Sequence, residues 1–285
     1  VFANDSKKKI YMHWMYDVPM GEQLDDDGDS LESIEGCLTD AQYNRDEHRK
    51  AVIDDILDNW VSQSHNGKFH AILATSSIPE AIKYYKLFAQ RDCGLKTTAV
   101  FDPSDGNNES SIEKIDGIAQ MLEDYNSLFG TCFNISGYAS FKRDVCARLA
   151  HKTPYTAVEN EPSKCLDILI VVDQMLTGYD SKWLNTLYMD KFYKWSNIEM
   201  IIQAFSRTNR VFNDDKPHGI IRYYRRPYTM KNIIEYAFEQ YSGQKPYGIF
   251  VAKLIQNLEN MNAAFSDIND IFKIAGIPDF FKTSR

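Results

Sequence analysis

The chain of 285 residues is poor in cysteine: Cys37, Cys93, Cys132, Cys146 and Cys165 are its five, and no two form a C-x-x-C pair. Neither a disulfide framework nor a zinc site is suggested, and reduced thiols in the cytoplasm are the expectation. No apolar run approaches the roughly 18 residues of a membrane span. The longest aliphatic stretch, "ILIVV" at 168–172, has the length of a buried strand. The first residues, "VFANDSKKKI", lack an initiator Met and a secretory signal and read as cut from something larger. The six histidines have no ligand spacing; His13, in "MHWMY", and His70, in a strand, read as packing residues. No metal site is expected. G-x-S-x-G and H-E-x-x-H are missing, and so are a G-x-x-x-x-G-K-[ST] loop and an acidic block after a suitable strand. Such a chain does not cradle and hydrolyse a nucleotide by itself, but it can supply arginines to a nucleotide held elsewhere.

Charge is unevenly spread. The net charge is −8, and residues 22–32, "EQLDDDGDSLE", hold six acids and no base. Residues 203–231 reverse this: Arg207, Arg210, Lys216, Arg222, Arg225, Arg226 and Lys231 stand against Asp214 and Asp215. The expectation is a local positive patch inside an acidic protein.

Periodicity divides the chain into an alternation. Residues 1–30 read as a connector with an acidic loop. A helix follows at about 41–62, with Val52, Ile53, Ile56, Leu57 and Trp60 at helical spacing. "FHAILAT" (69–75), "LKTTAVFD" (95–102), "CLDILIVV" (165–172), "LNTLYMD" (184–190) and "HGIIRYY" (218–224) have strand length and content. Helical patterns separate them: one opened by Pro79 and Glu80, one at about 111–129 capped by Ser110 or Ser111, one at 140–150, one at 197–207. Strands that are apolar throughout and alternate with helices indicate an α/β fold, a parallel sheet covered on both faces. After Pro227 the pattern is helical only.

Four short stretches carry chemistry. "IIQAFSRTNR" (201–210) spaces Gln203, Arg207 and Arg210 by four and three, which on a continuing helix sets them within about 60° of arc, opposite Ile201, Ile202 and Phe205. Two guanidiniums and an amide suit a multiply charged oxyanion; a solvated basic face is the plainer alternative. "VVDQMLTGYD" (171–180) runs a strand into Thr177, Gly178 and Asp180, where a phosphate or an ordinary turn is accommodated. "ILATSS" puts Thr75, Ser76 and Ser77 at a strand end before a helix, as a backbone-phosphate contact, an N-cap or both. "RYYRRPY" (222–228) interleaves Arg and Tyr as a base-stacking platform would, though a strand edge packing on the next domain is preferred.

Taken in order, "LTGYDSKWLNTLYMDK" and "IEMIIQAFSRTNRVF" resemble motifs V and VI of superfamily 2 helicase-like motors, most closely those of the R subunit of type I restriction enzymes. The resemblance is sharp over 165–212 and extends back to about 69. It departs from the family pattern at Ser206, where many such motors have glycine, at Tyr179 for Phe, and in "SKW" after Asp180. The resemblance implies a RecA-like domain with a parallel sheet flanked by helices, followed by a helical C-terminal segment. Residues 1–65 would be a connector, 66–228 the second RecA-like motor domain with a helical insertion at about 103–164, and 229–285 the start of a helical region. It further implies an ATP-dependent translocase within a restriction–modification endonuclease. ATP and Mg²⁺ would be bound mainly by a first RecA-like domain outside this chain, leaving the fragment inactive alone. Arg207 and Arg210 would act as arginine fingers; Gln203, Gly178 and Asp180 would contact the nucleotide; Thr75, Ser76 and Thr177 would contact DNA. The partners implied are double-stranded DNA and the methyltransferase and specificity subunits. Another superfamily 2 helicase or remodeller, or a non-catalytic interaction domain of the same fold, would carry a similar sequence.

Overall fold

A computed structural model describes residues 5–25, 27–91, 93–101, 111–172, 179–242 and 261–273, apart from 264, 267 and 269. The apolar runs become five strands: β1 (His70–Thr75), β2 (Thr97–Val100), β3 (Ile168–Val171), β4 (Leu184–Asp190) and β5 (Ile220–Tyr223). They form one sheet in the order β2-β3-β1-β4-β5, and every pairing is parallel. Every residue of β1, β3 and β4 is buried, whereas edge strand β5 is half-buried throughout. That explains the unbroken hydrophobic runs: the inner strands meet no water on either face. β1 lies at the centre, with Ala74 opposite Val171 of β3 on one side and Met189 of β4 on the other. The architecture is the expected α/β one, consistent with a RecA-like fold.

The helices follow their apolar spacing. After α1 (Asp5–Met12), α2 spans Asp46–Gln63 and buries Val52, Ile53, Ile56 and Trp60 on one face. It starts later than the pattern suggests, because Asp40–Gln42 form a 3₁₀ turn and Arg45 is extended (φ −112°, ψ 152°). Asp46 and Glu47 in its first turn complement the helix dipole. α3 (Ile78–Gln90) is capped by the Ser77 hydroxyl, which accepts from the Glu80 amide at 3.4 Å, with Pro79 in its first turn. α4 (Ser111–Phe129) and α5 (Tyr138–Leu149) belong to the insertion between β2 and β3. Gly117 lets α4 approach α3: a Cβ there would lie 2.9 Å from Ile82 Cδ1. The expected cap at Ser110 lies outside the described residues. The first part of the connector holds α1 and a π-helical turn (His13–Asp17). His13 is correspondingly no packing residue: it is exposed, between Asp17 (3.4 Å) and Glu32 (3.3 Å), because its helix buries no side chain in that turn.

The remaining helices are α6 (Ile198–Ser206) and α7 (Pro227–Tyr241). The start of α7 is capped from far away in sequence. The buried Glu35 carboxylate accepts from the amides of Tyr228 (3.1 Å) and Thr229 (2.7 Å), and the Glu22 amide donates to the Thr229 hydroxyl at 3.0 Å. Gly21 lies so close that a Cβ would sit 2.5 Å from the Thr229 nitrogen. The chain divides into two compact units, Val1–Ile234 and Glu235–Arg285. In the second, the described positions between 261 and 273 are helical.

Leu73 sits fully buried in the central strand, between Ile170 and Tyr188. Leu73→Ala should lower unfolding free energy by about 2–5 kcal/mol, read as a fall in the urea midpoint at unchanged slope.

Candidate functional site

Strand β4 carries the chain to the carboxyl-terminal edge of the sheet at Asp190, and α6 brings it back. The helix ends at Ser206, with Arg207 as its C-cap and Thr208 in a turn. Arg210 therefore lies beyond the helix, and the expected alignment of Gln203, Arg207 and Arg210 on one helical face does not form. The physical reason is local: Thr208 is buried, its hydroxyl donates to the Phe205 carbonyl at 3.0 Å, and it packs directly against the backbone of Gly219, so the helix cannot continue. Gln203 is exposed in the last turn.

What replaces the helical face is a join between two loops at the amino-terminal edge of the sheet. Arg207 Nη1 donates to the Tyr179 carbonyl at 3.2 Å, and Arg210 Nε pairs with Asp180 at 3.0 Å. Both members of the second pair are more than half exposed. Such an ion pair is worth roughly 0–1 kcal/mol and yields readily to a more highly charged partner. The Tyr179 hydroxyl lies 3.1 Å from Nε2 of His70, the first residue of β1. Burial, with help from nearby His151 and Lys216, holds the His70 pKa well below 6.5, so the ring is neutral. Burial likewise pushes the Tyr179 phenol up. Aromatic packing backs the join: Trp183 lies against Phe212 (4.5 Å between ring centres) and stacks on His151 (3.8 Å).

The carboxyl-terminal edge is organised around Asp190. Its carboxylate is fully buried and accepts from His48 Nε2 (2.8 Å), Tyr84 (2.9 Å) and Arg225 Nε and Nη2 (2.9 and 3.0 Å). Burial alone would raise its pKa, but the bonds and charges of His48 and Arg225 prevail and hold it below the ordinary carboxylate value. Thr75 lies beside it in the sheet. Its side chain is fully buried, with the hydroxyl 3.1 Å from the Val171 carbonyl and 3.3 Å from the Ser77 carbonyl. Ser76, the next residue, is exposed. Six residues of β1 separate the two edges, on the order of 17 Å. Of the expected residues, Arg207, Arg210 and Asp180 thus come together, and Ser76 stands apart. Thr177 and Gly178 lie outside the described residues.

The expected positive patch is largely neutralised. Arg222 and Tyr224 both bond Asp55 of α2 (2.6 and 2.8 Å), Arg225 is bound to Asp190, and Arg226 pairs with Glu22 at 3.5 Å. The cations of "RYYRRPY" face acids of the same unit, which take them up, and that pairing argues against a stacking platform. Sequence reasoning counted charges along the chain, and the compensating acids lie more than thirty residues away. Lys216 counted there only as part of the patch, though it is 1% exposed, and Asp190 received no role, its signal being an acid that closes a strand-length run. Among the described residues no group of three or more His, Cys, Asp or Glu side chains is placed to hold a metal ion, and no helix is long and apolar enough to cross a membrane.

Residues 67–226 match a family described as type I restriction enzyme subunit R domain 3. The chain is 32% identical over 213 residues to the endonuclease subunit of the type I restriction enzyme SsaAORF53P of Staphylococcus saprophyticus, covering 72% of this chain and 22% of that protein. It is 31% identical over 200 residues to the SauMRSORF196P endonuclease subunit of Staphylococcus aureus, covering 67% and 20%. A shorter stretch of 60 residues is 42% identical to the HindI endonuclease subunit of Haemophilus influenzae, covering 21% and 5%. The chain spans about a fifth of the length of the first two relatives.

The neutral His70 sets a pH dependence. Its folded pKa is depressed, so below pH 6.5 the unfolded chain takes up a proton that the folded chain refuses, and stability is lost as pH falls. The slope from this one group is ~1.4 kcal/mol per pH unit until its folded pKa is reached. Urea melts at pH 7 and 5.5 should show His70→Gln losing less stability on acidification than wild type, by at least about 1 kcal/mol.

Proposed function

Because the chain belongs to the family of type I restriction enzyme R subunit domain 3, we propose that it is the second RecA-like half of an ATP-driven DNA translocase, contributing motifs V and VI. The observation that carries this reading is the join at the amino-terminal edge. Arg207 and Arg210 are both brought beside the 179–180 segment, one against a backbone carbonyl and the other on an exposed, easily exchanged carboxylate. A first RecA-like domain elsewhere in the subunit holds ATP and Mg²⁺ and faces this edge. ATP supplies the phosphoryl group whose transfer drives movement. The residues present fit the nucleotide's charge: Arg210 leaves Asp180 for phosphate oxygens, Arg207 approaches from the helix end, and both offset the negative charge that develops in the transition state. Gln203, exposed one turn before Arg207, helps fix the nucleotide, and the contact expected of Gly178 lies outside the described residues. Asp180 holds Arg210 in place while no nucleotide is bound.

Double-stranded DNA is the track. Its contacts belong to the opposite edge, where Ser76 is exposed before the N-terminus of α3; the DNA contact expected of Thr177 lies outside the described residues. The hydroxyl of Thr75 is left to the sheet. Separation of the two edges by the length of β1 suits a motor in which nucleotide and track are read at different places. The methyltransferase and specificity subunits of the same cytoplasmic complex choose the DNA site, and this chain by itself hydrolyses nothing.

In the intact subunit, Arg207→Ala should reduce DNA-stimulated ATP hydrolysis by about 10³-fold or more while DNA binding changes little. ATP turnover at the wild-type rate in that variant would remove Arg207 from the mechanism.

A further inference from the structure

We infer that Lys216 is a positioning residue, a buried ammonium that locks the arginine-bearing turn to the 179–183 segment and so sets where Arg207 and Arg210 stand. The inference rests on the function proposed above for those two arginines. Lys216 is 1% exposed, and its Nζ donates to the carbonyls of Arg210 (2.7 Å) and Lys182 (3.2 Å). No carboxylate is within ion-pair reach of it among the described residues. Arg210 in turn pairs with Asp180, two residues before Lys182. The ammonium thus closes a ring through both segments: 180 to 210 by side chains, 210 to 182 through Nζ.

The turn that delivers Lys216 is itself fixed. Its amide donates to Asn213 and its carbonyl accepts from Phe212, while the Phe212 ring packs on Phe69 and Trp183. With that turn anchored, the Lys216 side chain is the arm that reaches back to residue 210. Stability alone does not account for it. An ammonium facing only carbonyls bears a desolvation cost that carbonyl bonds offset in part, and a methionine of similar length would fill the space without that cost. Burial shows its effect in the pKa, which is pulled down to about 8. What the ammonium provides, and an apolar side chain does not, is two directed bonds at defined positions.

Two residues of similar burial show the contrast. Arg49 and Arg225, equally enclosed, each have a bidentate carboxylate, Glu80 and Asp190. Lys216 alone of these three is left to backbone oxygens, at the place where both loops of the proposed nucleotide edge meet. The charged and titratable groups around it are His70, neutral in part because of Lys216; Lys182 and Arg210, whose carbonyls it holds; Asp180 behind Arg210; Asp215, paired with Lys68; and His151, stacked on Trp183.

The test is made on the intact R subunit in its assembled enzyme, with DNA-stimulated ATP hydrolysis and thermal unfolding measured together. Lys216→Met is expected to keep or raise Tm and to lower kcat by about tenfold or more, with a smaller change in KM, since a misplaced catalytic group costs rate more than binding. Lys216→Arg should recover part of the loss. Wild-type kcat in Lys216→Met overturns the inference; if Arg207→Ala is inactive in the same assay, the proposed function stands without it, and if Arg207→Ala is also fully active, that function fails as well. Should Lys216→Met not fold, wild type and Lys216→Arg carry the test by their pH profiles. Wild-type turnover should fall as pH rises past about 8, where the amine loses its proton, and Lys216→Arg, which stays protonated, should lack that fall. Identical alkaline limbs in the two proteins overturn the inference.

Discussion

A carboxylate at the end of an inner strand cannot stay charged and dry without partners, and Asp190 meets that constraint by drawing three elements to one point. His48 comes from α2, Tyr84 from α3 and Arg225 from the chain just after β5. Four donors on one carboxylate leave it little unused capacity, and the low pKa that results keeps it charged across the physiological range. The consequence reaches beyond the cluster. α2 is held to the sheet by this group and by Arg49, which forms a buried bidentate pair with Glu80 of α3. The segment before β1 is thereby part of the sheet's own unit. Removing any one donor would leave buried charge behind, so the pieces of this edge are fixed together.

The opposite edge is built on weaker terms. Its ion pair between Arg210 and Asp180 is exposed, Arg207 bonds a carbonyl, and among the described residues no carboxylate pairs with the buried Lys216. Rigid charge thus lies at one end of the strands and exchangeable charge at the other, where the proposed nucleotide edge is. The aromatic layer of Phe69, Trp183 and Phe212 provides the stiffness that the polar contacts of this edge lack.

Much of the framework was legible in the sequence because burial on both sheet faces writes itself as unbroken apolar runs. β4 was read to the residue, and β1, β3 and β5 within a few residues of their ends. The helices of the insertion were also read closely, since their apolar periods are long. The errors have one origin, tertiary partners that a linear reading does not contain. α6 stops at Ser206 because Thr208 meets Gly219, eleven residues ahead. The basic stretch from 222 to 226 is no surface patch because Asp55, Asp190 and Glu22 are waiting for it. Thr75 looked available because a hydroxyl at a strand end often is, yet β3 runs alongside and takes it. Arg207, Arg210 and Asp180 are singled out by their order and spacing, but the geometry that joins them is a loop contact and not a shared helical face.

The capping of α7 by Glu35 has a mechanical side. A helix whose first free amides are filled by a carboxylate nearly two hundred residues away cannot turn about its axis without dragging that carboxylate along. Gly21, wedged against the same backbone, removes the slack that a side-chain tether alone would leave. The segment that carries Gly21, Glu22 and Glu35 and the first turn of α7 are therefore joined at several points, so that neither shifts without the other.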